Sequence, residues 1–197
     1  MSTLAVAQAE REQPWIQPSK GRVAMFCLIL AESAIFTIFV VAYVYNIGKS
    51  LYGPTPQILE VPIWNSIFLL SSSLTIWLAE RSVEHGKIKA FGLWWALTFV
   101  LGAIFLVGTG IEWHKLIYED GLTISTNLFG TTFYSLVGLH ASHVIIGLIA
   151  LLTVLLFTIT GHVRKEHAER IQVLALYWHF VDAVWVVVFT VVYVIGR

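Results

Sequence analysis

The chain has 197 residues, of which 57% are apolar and only 12% charged, and its formal net charge is zero. A soluble domain carries about twice that charged fraction, and the mean hydropathy of +0.78 points the same way, so a polytopic membrane protein is expected and a sizeable soluble domain is excluded. Zero net charge removes the electrostatic basis for binding nucleic acid. With Cys27 as its single cysteine, the chain cannot form an intrachain disulfide, and a cysteine-ligated zinc or iron–sulfur site is not expected.

Residues 1–22 include Glu10, Arg11, Glu12, Pro14 and Pro18 with no apolar core before them. They read as a polar lead-in and not as a cleaved signal. Residues 23–197 read as an all-α integral membrane domain. Crossing a bilayer takes roughly 20 residues of helix, and five stretches qualify: about 23–45, 62–79, 90–111, 128–158 and 171–195. The second carries a polar seam of Asn65, Ser66, Ser71, Ser72, Ser73 and Thr75; the fourth is long enough to tilt. Alternating the connections places Arg11, Lys20, Arg22, Arg81, Lys87, Lys89, Arg164, Lys165 and Arg170 on one side, and Lys49, Lys115 and Arg197 on the other. The positive-inside rule then predicts a five-helix bundle with a cytoplasmic N-terminus and an external C-terminus.

Ionisable groups at membrane depth are costly, so each is a candidate for function or for helix recognition. Glu32, His140, His143, His179 and Asp182 fall there. At about 1.5 Å of rise per residue, Glu32 lies about 14 Å from the cytoplasmic edge, His179 about 12 Å and Asp182 about 16 Å, whereas His143 lies about 22 Å up and His140 higher. Glu32, His179 and Asp182 are therefore predicted to share one polar layer. His140 and His143, three residues apart, share a helix face with Gly147, and Gly138 with Ser142 forms a small-xxx-small pair that lets a second helix approach. Trp178, Asp182 and Trp185 form a stripe on the last span.

Imidazoles three apart can hold one metal, but a haem would need a second histidine at matching depth. The reading taken here is that the buried histidines hydrogen-bond neighbouring helices, with no catalytic and no metal residue in this chain. For Glu32 three readings stand: a protonated, hydrogen-bonded carboxyl, a partner of His179, or a member of a proton path. Burial alone favours the first. The serine seam is read as helix packing, with a pore as the rival.

Tyr177-Trp178-His179-Phe180-Val181-Asp182-Ala183-Val184-Trp185 resembles the last-helix signature of subunit III of the haem-copper oxidases. Phe133-Tyr134 followed by Gly138-Leu139-His140-Ala141-Ser142-His143-Val144-Ile145-Ile146-Gly147 resembles that family's penultimate-helix signature, and Ala31-Glu32-Ser33 after Arg22 and Met25 resembles its helix with an intramembrane glutamate. Val61-Pro62-Ile63-Trp64-Asn65 and Gly110-Ile111-Glu112-Trp113 match the helices between more weakly. The resemblance runs in order over about residues 20–197. It implies an accessory subunit of a proton-pumping terminal oxidase that reduces oxygen to water. Haem and copper would sit in the large partner subunit and no cofactor in this chain; phospholipid and other oxidase subunits would be further partners, in a bacterial inner membrane.

The resemblance also implies that Glu32, His179 and Asp182 act as a structural or proton-related layer. His140, His143, Gly138, Gly147, Trp178, Trp185 and Glu112 would serve helix packing and hydrogen bonding. The family's full-length form has seven helices and this chain matches from the third, so the five-helix form is expected, with the missing pair carried by another subunit. A subunit-III-like component of a quinol oxidase or nitric-oxide reductase system is the near alternative. A stand-alone membrane metalloenzyme built on His140 and His143, and a small transporter built on the serine seam, are the distant ones.

Overall fold

A computed structural model describes residues 19–50 and 52–196. The described residues form helices and connections without a strand. Helix α1 spans Lys20–Asn46, α2 Ile63–Glu84, α3 Ile88–Tyr118, α4 Leu128–Ile159 and α5 Ala168–Phe189, the last running on into a π turn over Thr190–Ile195. Short 3-10 turns at Pro56–Ile58 and Lys165–His167 lie in the first and last connections.

Local chemistry sets the helix ends. Ser19 caps α1 by accepting from the Arg22 N–H at 3.4 Å, and the Asn127 side chain caps α4 by accepting from the Gly130 N–H at 2.8 Å, each satisfying a donor that has no partner inside its helix. The α2–α3 turn is reversed through Gly86 at φ 70°, a left-handed conformation that glycine adopts without a Cβ clash.

The helices overrun the apolar stretches that predict them. α2 continues past Ala79 to Glu84, and α3 past Ile111 to Tyr118. Backbone hydrogen bonding does not stop where apolarity does, and Lys115 in the last turn of α3 suits the negative end of the helix dipole. Four helical segments, Lys20–Asn46, Ile88–Tyr118, Leu128–Ile159 and Lys165–Ile195, are long and apolar enough to cross a membrane. α2 is not among them, because Asn65 and the run of serines and threonine lower its apolarity although its 22 residues suffice in length.

α5 is the axis of the bundle. It packs on α1, α2 and α4, while α2 pairs most extensively with α3, and α3 with α4 closes the far side. Half of the apolar stretch of α5 is buried, against 6% for α1, which packs chiefly on α4 and α5. The core is aromatic, with Trp95, Trp178, Trp185, Phe91, Phe105 and Phe133 at 2% exposure or less.

Candidate functional site

Two tryptophans of α5 fasten it to the other helices. The Trp178 indole N–H donates to Ser72 Oγ on α2 at 2.8 Å. Its ring lies where a Cβ at Gly102 of α3 would come within 2.7 Å and one at Gly147 of α4 within 2.8 Å. Those two glycines are thus the space in which the indole sits, and three helices meet on one side chain of a fourth. About two helical turns on, the Trp185 N–H donates to Ser66 Oγ at 3.1 Å. The Trp185 ring stacks on His140 at 5.0 Å and meets the edge of Phe105 at 4.8 Å. The serine seam of α2 therefore supplies acceptors for α5, and a buried indole N–H without one would be costly.

His140 is 1% exposed and held between Trp185 and Phe105, and neither of its ring nitrogens has a partner among the described residues. His143 differs. Its Nδ1 lies 2.8 Å from the Leu139 carbonyl and its Nε2 3.1 Å from Glu32 Oε2 on α1. A carbonyl only accepts, so Nδ1 carries a proton, and one further proton then lies between Nε2 and the Glu32 carboxyl. Tyr177 donates to the backbone carbonyl of His143 at 3.2 Å. Although they share a helix face, the two histidines engage different neighbours.

A second polar unit lies between α2 and α5. Ser73 Oγ donates to Asp182 Oδ2 and lies 3.2 Å from His179 Nδ1. With its one proton on Asp182, the hydroxyl accepts from His179. On the other side of the ring, His179 Nε2 lies 3.8 Å from Glu80 Oε2. Asp182 is buried, and its Oδ1 has no partner among the described residues. Glu80 and His179 also line a pocket that opens at the end of the bundle bearing Arg22.

The layer expected of Glu32, His179 and Asp182 thus resolves into two units. His179 and Asp182 are joined through Ser73, whereas Glu32 is paired with His143. The depth count separates Glu32 from His143 because it assumes parallel helices counted from a common plane; contact between the two side chains shows that α1 and α4 are not so aligned. Glu80 was not singled out from the sequence, since it stands beside Arg81 near a helix end and reads as an interfacial charge. Ser73 was visible only as one of a serine run. Glu112, near the C-terminal end of α3, accepts from the Tyr193 hydroxyl at 2.9 Å. Gly138 faces the Trp113 ring, with 3.4 Å to a notional Cβ, so the close approach at α4 is made at Gly147 instead.

Chemically, the arrangement is a set of joints between helices, each made of an aromatic or ionisable side chain of α4 or α5 and a hydroxyl, carboxyl or glycine on a neighbour. Comparison with known proteins agrees on the relationship. The family model described as cytochrome c oxidase subunit III matches residues 20–197. The cytochrome c oxidase subunit 3 of Synechocystis is 38% identical over 183 residues, covering 90% of this chain and 77% of that protein. The protein of the same name from Alkalihalophilus pseudofirmus is 36% identical over 168 residues, covering 84% of this chain and 82% of its own length. That from Bacillus sp. strain PS3 is 34% identical over 181 residues, covering 90% and 87%. The chain belongs to the cytochrome c oxidase subunit III family.

Proposed function

We propose that this chain is a non-catalytic accessory subunit of a proton-pumping terminal oxidase in a bacterial plasma membrane. It crosses the membrane five times, α2 included, with its N-terminus in the cytoplasm. It stabilises the large haem-copper subunit, holds phospholipid and supports proton uptake at the cytoplasmic side. The five crossings rest on the shared bundle: α2 lies between α3 and α5, both long and apolar enough to span, and its serines turn inward to Trp178 and Trp185. The orientation rests on the lysine and arginine asymmetry.

The observation that carries the accessory reading is that the motif side chains are engaged with their own helices. Trp178, Trp185, His143, His179 and Asp182 are each tied to a neighbouring helix of the same bundle. Side chains committed in that way build a rigid surface for a partner and leave oxygen chemistry to that partner. Proton support is assigned to the Ser73–His179–Glu80 line, which runs from a pocket at the Arg22 end toward Asp182.

The test is purification of the chain from its native membrane in mild detergent, with a visible spectrum and mass spectrometry of what accompanies it. A haem-copper subunit in stoichiometric amount, together with a stripped chain free of metal, is the expected result. A chain that comes alone with bound iron or copper contradicts the reading and moves attention to His140 and His143.

A further inference from the structure

The end of α4, the start of α5 and the turn between them surround a pocket of about 850 Å³, within the range of about 300–1,000 Å³ for ligand sites. It lies at the Arg22 end of the bundle, since Arg170 in its lining stands two residues before Gln172, the acceptor of Arg22. None of the side chains assigned above to the joints of the bundle or to proton support lines it.

Its charge is one-sided. Arg164, Arg170, His162 and His167 line it, against the single acid Glu166 among the described residues. Both arginines are exposed, and a guanidinium fork suits phosphate oxygens. The Arg164 backbone N–H donates to His167 Nδ1 at 3.1 Å, so in the neutral ring Nε2 carries the proton and is a further donor. The first turn of α5 lines the pocket too, and that end of a helix dipole is positive.

The remaining walls suit a flat ring. Phe157 is 54% exposed and meets His162 edge to face, with ring centroids 6.3 Å apart, and nucleic bases stack on such an aromatic face. His162 is held beside it by its Nδ1, 2.9 Å from Thr160 Oγ. Val154, Ile171 and Leu174 make the apolar side. The lining runs over 153–160 at the end of α4 and 167–174 at the start of α5, about 10 Å along each axis. An acyl chain follows half of a hydrocarbon core roughly 30 Å thick, so a compact polyanion with a ring fits this recess better than a phospholipid.

We propose that this pocket binds a nucleoside di- or triphosphate, its base on Phe157 and its phosphates on Arg164, Arg170 and His167 Nε2. The site is additional to the accessory role proposed above. Only the choice of a soluble ligand uses the orientation proposed there, which puts this end in the cytoplasm.

The experiment uses the intact oxidase purified in mild detergent and an azido-adenine analogue of ATP, with the labelled peptides mapped by mass spectrometry. Label falls within 153–174, and ATP displaces it at about one tenth of the concentration that adenosine or inorganic triphosphate needs. Arg164→Gln and Arg170→Gln each raise the ATP concentration for half displacement about fivefold, the size one exposed ion pair supports. Glu166→Gln lowers it about fivefold by removing the acid, a gain that poor folding does not imitate. No label in this segment, equal displacement by adenosine or inorganic triphosphate, displacement by phosphatidylglycerol but not by ATP, or an unmoved midpoint in Glu166→Gln overturns the proposal. Both ends of the detergent-purified complex meet the probe, so a reversed orientation leaves the labelling intact, and failure of the labelling leaves the accessory role standing.

Discussion

Helices α1 and α5 are of similar apolarity in sequence and opposite in their use. Each carries ionisable residues, Glu32 on one and His179 with Asp182 on the other, yet 6% of the apolar stretch of α1 is buried against 50% for α5. Hydropathy reports that a helix can lie in a membrane; whether it faces lipid or its own bundle is decided by what stands opposite. For α5 that is a hydroxyl, a glycine or an aromatic ring at each turn: Ser66, Ser72 and Ser73 on α2, Gly102 and Phe105 on α3, Gly147 and His140 on α4. For α1 it is the Glu32–His143 contact, the Arg22–Gln172 tie and two buried rings, Phe36 against His143 and Phe180 and Tyr43 against Phe129.

Substitutions break this comparison in a definite order, read as thermal unfolding of the purified complex and retention of the chain within it. Trp178→Ala empties the position where α2, α3 and α4 meet α5 and is expected to cost about 3–5 kcal/mol. Phe26→Ala, an equally aromatic truncation on the exposed face of α1, is expected to stay within about 0.5 kcal/mol. Equal losses from the two would erase the distinction between axis and periphery. Gly147→Val, which pushes a side chain into the Trp178 ring, should cost about 1–3 kcal/mol by overpacking.

Glu32→Ala leaves His143 Nε2 without its partner and should cost about 1–3 kcal/mol. Glu32→Gln, which keeps a hydrogen-bonding group there, should lose less. If Glu32→Gln slows proton uptake in a fully assembled complex, the carboxyl has a proton role beyond the joint. His140→Phe is expected to be close to neutral, because both ring nitrogens are unpartnered among the described residues and an apolar ring preserves the stack on Trp185. Loss of assembly or of bound metal in that variant would show that His140 does more than pack.

The smallest effect belongs to the surface. Glu60, in the connection before α2, forms an ion pair with Lys115 in the last turn of α3, and hydrogen bonding to Lys115 holds the Glu60 carboxyl below its ordinary range. A carboxyl lowered in the folded state contributes stability at pH above its unfolded value and loses that contribution as pH falls through the lowered value. The difference between the unaltered protein and Glu60→Gln should therefore be present at neutral pH, shrink in acid and shrink with salt.

Much of this was legible in the sequence, for reasons tied to particular residues. The helices α1, α3, α4 and α5 announced themselves as long apolar stretches, and the tryptophan stripe of α5 lay at helical spacing. α2 was legible as a helix, but its apolarity was cut by the serines, which only the structure connects to Trp178 and Trp185. The pairing of Glu32 with His143, and the parts of Ser73 and Glu80, were not legible. Sequence gives position along a helix but neither its tilt nor its neighbours, so a shared depth was mistaken for contact. Gly138 and Gly147 both stand out in the sequence as helix-packing positions, but it is at Gly147, nine residues on, that the indole sits, because facing depends on the neighbour's bulk and not on spacing alone.

The most direct test of the accessory role is to purify the oxidase with and without this chain and follow oxygen consumption from the first turnovers. The complex lacking the chain is expected to keep its haems and begin to reduce oxygen, then become less stable or slower in proton uptake. A complex that keeps its haems yet shows no initial turnover without this chain would contradict it, and would place part of the chemistry here.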